Sequence, residues 1–441
     1  MANENYDILI IGAGFAGVTA ARELSQKGYR VLILEARDRL GGRTWCDQKL
    51  GRTLEMGGTW VHWFQPHVWS EITRYGLEVI PSPEPKKAYW TANGQGKEGT
   101  PEQLFDLLDE ANQGLLADTR KYFPLPYEPL TSKELKNIDH LTVSEKIEQL
   151  GLNKEIKDLM ESLWALNFNG PTERAGITQA MRWAALSDNN WQLMLEICAS
   201  FKIAKGTKAL IESIFSDAKA DILYSKVVSQ VEKTADGFTI KTKDDKQFNG
   251  KSVITTLPIN VLNSIDFKPS LSAVKCKAAK EGQASKGIKF WAKVKNFANP
   301  FVAFAPVDYP INYAHLEYVE GKDGIIVGFG PDAAKLNPES IYEVEQALRQ
   351  MKPDLEVIES AGHDWVGDKF SGETWPMQCN NQLTNYLFEL QNPEDGLFLA
   401  GSDYANGWAG FIDGAIESAF TVSRKTADYL KEQSTKQRTI Q

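Results

Sequence analysis

Three glycines and one acid near the start of the chain have the residue types and the spacing of a dinucleotide-binding site. Gly12, Gly14 and Gly17 form a GxGxxG pattern, and Glu35 ends the next apolar run after them. The first glycine permits a tight turn, the second lets backbone approach a pyrophosphate, and the third lets a helix pack closely on a strand. The acid is placed to accept hydrogen bonds from a ribose. These residues therefore predict a dinucleotide site.

The neighbouring sequence predicts the elements that position these residues. Residues 7–11 form an apolar run of strand length, residues 18–24 repeat at helical spacing, and residues 30–34 form a second β-branched run. The order is strand, turn, helix, strand. The start of such a helix offers unpaired N–H groups and a positive dipole end to phosphates, which supports the dinucleotide interpretation.

A second glycine-rich segment follows this unit. Gly41 and Gly42 let the backbone pass close to a bulky group, and the flanking arginines can meet phosphate, although two ordinary glycine turns are the alternative. The nearby acid Glu55 is interpreted as structural. With residues 36–44 and 54–60 the chain resembles the flavin-dependent amine oxidase family, which includes monoamine, polyamine and nicotine oxidases. The resemblance recurs in the middle of the chain and near its C-terminus.

The resemblance implies FAD as the cofactor. Residues 401–403 follow a strand and residues 410–412 precede a long helix, whose start in the family faces the ribityl chain and the pyrimidine end of the flavin. The dipole of that helix would stabilise negative charge on the reduced ring. An ordinary strand-to-helix turn is the alternative. Together with the fingerprint, the resemblance implies cofactor contacts at Gly12, Gly14, Phe15, Ala16, Gly17, Glu35, Ala36, Arg37, Gly42, Arg43, Gly57, Gly58, Thr59, Trp60, Val227, Trp365, Gly401, Ser402, Asp403, Gly410, Phe411 and Ile412.

Three residues match family positions at the reacting end of the flavin. Trp375 and Phe411 match the aromatics that flank the amine, and Lys289 matches the lysine that reaches flavin N5 through a water. Two aromatic faces attract a nitrogen and exclude water. The alternatives are ordinary core packing for the aromatics and a snorkelling lysine on a strand edge. Thr374 stands where members with covalent flavin have cysteine, so the FAD is expected to bind without a covalent link.

The reaction implied by the resemblance is the oxidation of an amine C–N bond. A neutral amine gives a hydride from its α-carbon to flavin N5, and the resulting imine is hydrolysed to an aldehyde or ketone. The reduced flavin then passes its electrons to oxygen, giving hydrogen peroxide, or to a small redox protein.

The expected substrate is a primary or secondary amine with an aromatic or heteroaromatic group. The glycine-rich segments resemble most the bacterial branch that contains nicotine and pseudooxynicotine oxidases. A polyamine pocket would need several acids, whereas the helical region offers the apolar residues Trp164, Leu166, Phe168, Trp183 and Trp191.

Other functions stay open at this point. An L-amino-acid oxidase of the same fold would need an arginine to bind a carboxylate, and Arg182 is a candidate, although a surface position is expected for it. A flavin amine dehydrogenase would pass electrons to a protein acceptor. A non-catalytic flavoprotein scaffold is disfavoured by the presence of Lys289, Trp375 and Phe411. A purely NAD-dependent dehydrogenase would leave the C-terminal segment unexplained.

The expected fold is α/β. The resemblance implies a Rossmann-type FAD-binding domain built from discontinuous segments, and a substrate domain with a mixed sheet and a helical insertion. The expected segments are FAD-binding residues 1–80, a helical cap region 81–205, FAD-binding residues 206–270, a substrate-domain sheet 271–390 and FAD-binding residues 391–441.

Composition excludes several partner classes. The formal net charge is −9, which argues against nucleic acid or an anionic membrane surface as partner. The four cysteines have no paired spacing and the five histidines have no metal-ligand spacing, so free thiols and no metal are expected. His62 is expected to pack within a loop. No long apolar stretch or signal peptide is evident, which predicts a cytoplasmic protein, and a homodimer is one open alternative for its assembly.

Overall fold

The computed structural model describes residues 5–440 and the side chains of residues 6–436. The expectation that there is no signal peptide was drawn from the first residues, which lie outside the described part. The strands are β1 (Asn5–Ile11), β2 (Val31–Leu34), β3 (Cys46–Lys49), β4 (Arg52–Glu55), β5 (Val79–Pro81), β6 (Lys87–Ala92), β7 (Gln95–Gly99), β8 (Phe201–Ile203), β9 (Asp221–Leu223), β10 (Val228–Thr234), β11 (Gly237–Thr242), β12 (Gln247–Thr255), β13 (Asp266–Lys268), β14 (Ile288–Val294), β15 (Phe301–Phe304), β16 (Tyr313–Glu320), β17 (Asp323–Gly330), β18 (Val357–Gly362) and β19 (Leu397–Leu399). The helices are α1 (Phe15–Ser25), α2 (Pro66–Arg74), α3 (Pro101–Leu116), α4 (Thr119–Tyr122), α5 (Val143–Gln149), α6 (Lys154–Phe168), α7 (Ile177–Leu186), α8 (Trp191–Ala199), α9 (Gly206–Ser216), α10 (Ala273–Glu281), α11 (Ile341–Arg349), α12 (Gln382–Gln391) and α13 (Ile412–Ile440).

The first sheet contains the fingerprint unit. Its strand order is β13, β10, β11, β12, β1, β2, β9, and β19 pairs with the end of β12. The strands β19, β12, β1, β2 and β9 are parallel, whereas β10, β11 and β12 pair antiparallel. This mixed sheet is formed by strands from three separate parts of the chain.

Helices cover both faces of this sheet, which is why β1 and β2 read as continuous apolar runs. Ile8 and Ile10 pack in a core with α1, α9 and α13. Leu9 and Ile11, which point to the opposite face, pack in a core that includes residues of α10 and α12. An added Cβ on Gly17 would lie 2.0 Å from the carbonyl oxygen of Gly12, so only glycine lets α1 pack this closely on the turn.

The second sheet is also mixed and lies beside the first. Its order is β18, β14, β17, β16, β15, β6, β7, and all neighbours pair antiparallel except β15 and β6. The α/β class with mixed sheets is confirmed. A third core, formed mainly by helices α3 to α8, packs beside this sheet.

Two segments differ from the expected organisation. The region 81–205 was expected to be helical, but β6 and β7 belong to it and extend the second sheet. The region 271–390 includes α10 and α12, which contribute Ala278 and Tyr386 to the core of the first sheet. Helical spacing near residue 101 gave no information on the strands before it, because strand pairing depends on the distant β15.

Among the described helices, none combines the length and the apolar composition needed to cross a bilayer.

Candidate active site

A cavity of about 1320 Å³ lies where the two sheets and the helical region meet. It is larger than the ~300–1,000 Å³ usual for a small-molecule pocket, so it has room for more than one ligand. Residues from all three regions form its wall. The expected site residues in that wall are Gly12, Gly14, Phe15, Ala16, Glu35, Ala36, Arg37, Gly42, Arg43, Gly57, Gly58, Thr59, Trp60, Val227, Lys289, Trp365, Trp375, Gly401, Ser402, Gly410, Phe411 and Ile412. Gly17 and Asp403 lie outside it.

The fingerprint loop and the second glycine segment form one continuous part of the wall. Gly14 bridges to Gly41, and an added Cβ on Gly42 would lie 3.4 Å from the Cα of Gly14. The buried Glu35 accepts hydrogen bonds from the backbone N–H of Ala13 at 2.6 Å and of Arg37 at 2.8 Å. Burial raises the pKa of this carboxyl despite these two bonds. Glu35 therefore fixes both loops while it lines the cavity.

Arg43, which follows Gly41 and Gly42, is paired with acids and is therefore not free to bind phosphate. Arg43 pairs with Glu373, and its Nη2 donates to Asp403 at 2.5 Å and to Ser402 at 3.1 Å. Asp403 also accepts from the backbone N–H of Ile259 at 2.9 Å. Asp403 therefore holds Arg43 and does not line the cavity, where a cofactor contact was expected for it. Burial and the nearby Asp403 raise the pKa of Glu373 well above its usual value.

Lys289 is buried in β14 and lines the cavity, so the snorkelling alternative is wrong. Its Nζ donates to the carbonyls of Glu55 at 2.9 Å and Gly57 at 2.8 Å, and to Thr59 Oγ1 at 2.6 Å. Burial lowers the pKa of Lys289 to about 7, although the charge of Glu55 acts in the opposite direction. Three oxygen acceptors from the neighbouring glycine-rich segment therefore fix Lys289 in the cavity wall.

Aromatic side chains surround the part of the cavity next to Lys289. The Nε1 of Trp375 donates to the carbonyl of Asn167 at 2.9 Å, which fixes the indole. The Trp375 ring lies 6.1 Å from that of Phe329, and the Phe411 ring lies 4.9 Å from that of Trp183, both edge-to-face. The two expected cage residues are therefore held by packing and are both in the wall.

The sequence left open which apolar residues of the helical region line the cavity. Leu166 and Trp183 line the cavity, whereas Trp164, Phe168 and Trp191 pack among the helices. Periodicity identified the apolar face of α6 but not which part of that face meets the cavity.

Arg182 was expected at the surface and is instead buried. Its guanidinium donates to the side chain of Gln378 at 3.0 Å and to the carbonyl of Ala405 at 2.9 Å. It does not belong to the cavity wall. The arginines in that wall are Arg37 and Arg43, and each has an acid partner.

His62 packs in its loop as expected and stays outside the wall, with Nδ1 accepting from the backbone N–H of Phe64 at 3.1 Å. A separate group of His67, Asp413 and Glu417 was not foreseen; their ligand-type atoms lie within 4.8 Å of one another. Asp413 accepts from the backbone N–H of His67 at 2.6 Å, which ties the start of α2 to α13. These bonds explain the group without a metal.

Sequence reasoning missed a buried polar cluster on the far side of the cavity. His315 Nε2 lies 2.7 Å from Glu317 Oε2, and Glu317 pairs with Lys202. Ser82 Oγ donates to Glu317 Oε1 at 2.9 Å and accepts from Trp60 Nε1 at 3.1 Å. Trp60, Ser82 and His315 line the cavity. The sequence feature that could have indicated this cluster is the presence of lysine, histidine and glutamate inside short apolar strands.

Comparison with known proteins identifies the family. A model described as flavin containing amine oxidoreductase matches residues 15–426. The chain belongs to this family. The amine oxidoreductase is 36% identical to a pseudooxynicotine dehydrogenase of a Pseudomonas species, over 98% of this chain and 88% of the relative. It is 34% identical to a nicotine dehydrogenase of Pseudomonas putida, over 97% of this chain and 89% of the relative.

Solved structures show the same fold. Wild-type putrescine oxidase bound to putrescine matches with a TM-score of 0.83 at 19% identity, covering 96% of this chain and 99% of that one. Cyclohexylamine oxidase from Brevibacterium oxydans matches with a TM-score of 0.80 at 17% identity, covering 98% of this chain and 100% of that one.

The cofactor of this amine oxidoreductase is FAD, and the residues present fit it. The glycine turns bring bare backbone to the wall, and Glu35 stands at the end of β2 where a ribose is bound in such units. Lys289 and Trp375 line the same cavity. The chain is thus a flavin enzyme that acts on amines.

Proposed function

We propose that this enzyme oxidises primary or secondary amines that carry an aromatic or heteroaromatic group. The observation that carries the proposal is the apolar part of the cavity wall, which includes Leu163, Leu166, Trp183, Phe304, Phe329, Trp375 and Phe411. Apart from Glu35, the acids in the wall, Glu84, Glu102 and Glu196, are exposed. A planar apolar substrate matches such a wall better than a polyamine with charges at both ends.

The roles proposed for the chain's own residues follow from their positions. Trp375 and Phe411 would flank the amine and exclude water from it, so the neutral amine can be held without strong hydration. Bound FAD supplies the acceptor for a hydride from the carbon next to nitrogen. Lys289, held by Thr59 and two carbonyls, would place its amino group beside that acceptor. The remaining cofactor residues would hold the FAD without a covalent link.

The relatives' names support the proposed substrate class. Pseudooxynicotine and nicotine, in the names of the two Pseudomonas relatives, are pyridine-bearing amines. An L-amino-acid oxidase is less well supported, because Arg37 and Arg43 of the wall are paired with acids and Arg182 is outside it.

Substrate class is tested by steady-state turnover of the FAD-loaded enzyme with an artificial electron acceptor. Benzylamine, 2-phenylethylamine and the secondary amine N-methylbenzylamine would be compared with putrescine and an L-amino acid. We expect kcat/KM for at least one ring-bearing amine to exceed that for putrescine by about tenfold or more, roughly the value of one buried methylene. A preference for putrescine or the amino acid would overturn the proposed class.

Oxygen is the first proposed electron acceptor, with hydrogen peroxide as product. A dehydrogenase that reduces a small redox protein is the second candidate, and it is favoured by the names of the two relatives described above. The (S)-6-hydroxynicotine oxidase of Paenarthrobacter nicotinovorans, 26% identical, favours oxygen. Admitting air to the amine-reduced enzyme separates the two. Return of the yellow colour within the turnover time, with peroxide formed, supports an oxidase, and slow return supports a dehydrogenase.

A further inference from the structure

His315 is a buried histidine in the wall of the cavity and is not among the residues expected to bind the cofactor. It lies in β16, is 7% exposed, and shares the cavity wall with Tyr313 two residues before it. Its ring lies 5.5 Å from that of Tyr313 and 6.0 Å from that of Trp60. Phe329 lies 6.2 Å from Trp60 and 6.1 Å from Trp375. Trp60 and Phe329 therefore lie between His315 and Trp375 in a chain of neighbouring rings.

The two ring nitrogens of His315 have different surroundings. Nε2 is 2.7 Å from Glu317 Oε2, and Glu317 is itself held by Lys202 and Ser82. Nδ1 is buried and has no hydrogen-bond partner among the described residues. Leaving such an atom unpaired is costly, so an unpaired nitrogen on a residue that lines a ligand cavity points to a ligand contact.

The protonation state of the His315 ring decides whether Nδ1 donates or accepts a hydrogen bond. Burial lowers the pKa of His315 to about 3, with further contributions from the positive charges of Lys202 and Lys289. The ring is therefore neutral, with one nitrogen carrying the proton and the other accepting. Because the Glu317 carboxylate accepts from Nε2–H, Nδ1 carries the free lone pair.

We propose that His315 Nδ1 accepts a hydrogen bond from a hydroxyl or N–H group at the distal end of the substrate. This proposal deepens the proposed function and rests on its class of ring-bearing amines. The reacting nitrogen would lie between the predicted cage aromatics while the distal donor reaches β16. A site built around a buried acceptor discriminates against analogues that lack the donor, because the acceptor then stays unpaired. His315 is thus a specificity-determining residue.

The test uses amines that bind but cannot be oxidised. The FAD-loaded enzyme is titrated with α,α-dimethylbenzylamine and with its meta- and para-hydroxy derivatives, which have no hydrogen on the carbon next to nitrogen. Dissociation constants are measured by calorimetry and by the change in flavin absorbance. Because no turnover is needed, the result does not depend on whether amines of this class are oxidised. We expect at least one hydroxylated probe to bind about fivefold more tightly than the parent amine.

Two variants test whether this preference comes from His315. His315→Phe keeps a ring and removes the acceptor, so the hydroxylated and parent probes should bind equally. His315→Gln keeps an acceptor oxygen and should restore part of the preference. The FAD content of each variant verifies folding. Equal binding of all probes to the wild-type enzyme, or a hydroxyl preference that persists in His315→Phe, would overturn the proposal.

Discussion

At the scale of single residues, the most informative side chain is Lys289. A buried ammonium is unfavourable unless its N–H groups are bonded, and here Glu55, Gly57 and Thr59 provide the acceptors. These acceptors belong to the glycine-rich segment that lines the cavity, so Lys289 ties the second sheet to the FAD-binding region. Its burial lowers its pKa to about 7.

The lowered pKa predicts a pH-dependent stability. Between about pH 7 and about pH 10 the unfolded chain holds a proton on Lys289 that the folded protein lacks, so raising the pH favours folding. We expect the unfolding free energy of wild type relative to Lys289→Met to increase through this range, by at most about 1.4 kcal/mol per pH unit. Urea unfolding at several pH values measures it.

Lys293→Met is the matched control for this experiment, because Lys293 lies on the same strand and bonds to Glu320 at the surface. That interaction raises the pKa of Lys293, so its stability difference should stay flat between pH 7 and pH 10. A flat difference for Lys289→Met as well would contradict the lowered pKa.

Thr374 carries a second residue-scale prediction, that the FAD is released by denaturation. Thr374 lines the cavity and cannot form a thioether, and among the described residues Cys198 is the one cysteine in the wall. Burial raises the pKa of Cys198 to about 12, so it stays an unreactive thiol. After acid precipitation all flavin absorbance should be in the supernatant, for wild type and Cys198→Ser alike. A yellow pellet would contradict non-covalent binding.

Motif residues near the cofactor could be predicted because their neighbours are close in sequence. The fingerprint glycines and Glu35 act within one strand–helix–strand unit, and all but Gly17 line the cavity. The partners of Arg43 could not be foreseen, since Glu373 and Asp403 lie near the opposite end of the chain. His315 was missed although Glu317 lies two residues away on the same strand, because Lys202 and Ser82, which complete the cluster, come from distant parts of the chain.

At the scale of elements, short strands join the regions of the molecule. Strand β8 pairs with β5 near the cavity, and its Lys202 reaches Glu317 of β16. Lys202 is buried, and burial lowers its pKa to about 7. This ion pair links the second sheet to the segment that follows the helical region.

Breaking this buried pair is predicted to destabilise the protein strongly. Glu317→Ala leaves Lys202 without its carboxylate, and removing one partner of a buried pair costs about 3–5 kcal/mol. The control is Glu356→Ala, which breaks the exposed pair of Lys295 and Glu356 and should leave stability almost unchanged. Urea unfolding at pH 6, where Lys202 is protonated, compares the variants. An equal loss of unfolding free energy in Glu317→Ala and Glu356→Ala would show that burial does not set the strength of the Lys202–Glu317 pair.

Elements were predicted best where a pattern is long and local. The helix after the fingerprint and the strands β1 and β2 on either side of it match the runs seen in the sequence. Strands β6 and β7 were missed, because β6 pairs in parallel with β15, which comes much later in the chain, after the whole helical region. Pairing over such a separation is decided by tertiary packing and leaves little trace in local periodicity.

At the scale of the whole molecule, the chain returns repeatedly to one cavity. The fingerprint unit, the β9–β13 segment and the C-terminal β19 and α13 build the sheet that carries the FAD site. The second sheet adds Lys289, and the helical region adds Leu166 and Trp183 to the wall. The fold class followed from the motifs, whereas the shape of the cavity depends on the packing of all three regions.

The central claim is that this cavity oxidises a ring-bearing amine by hydride transfer to its FAD. The most direct test is anaerobic rapid mixing of the FAD-loaded enzyme with saturating benzylamine, 2-phenylethylamine or N-methylbenzylamine while the flavin absorbance is followed. We expect at least one of these amines to bleach the flavin in a single turnover. Deuterium at the reacting carbon should slow the bleaching several-fold. A flavin that stays oxidised with every ring-bearing amine would contradict the account.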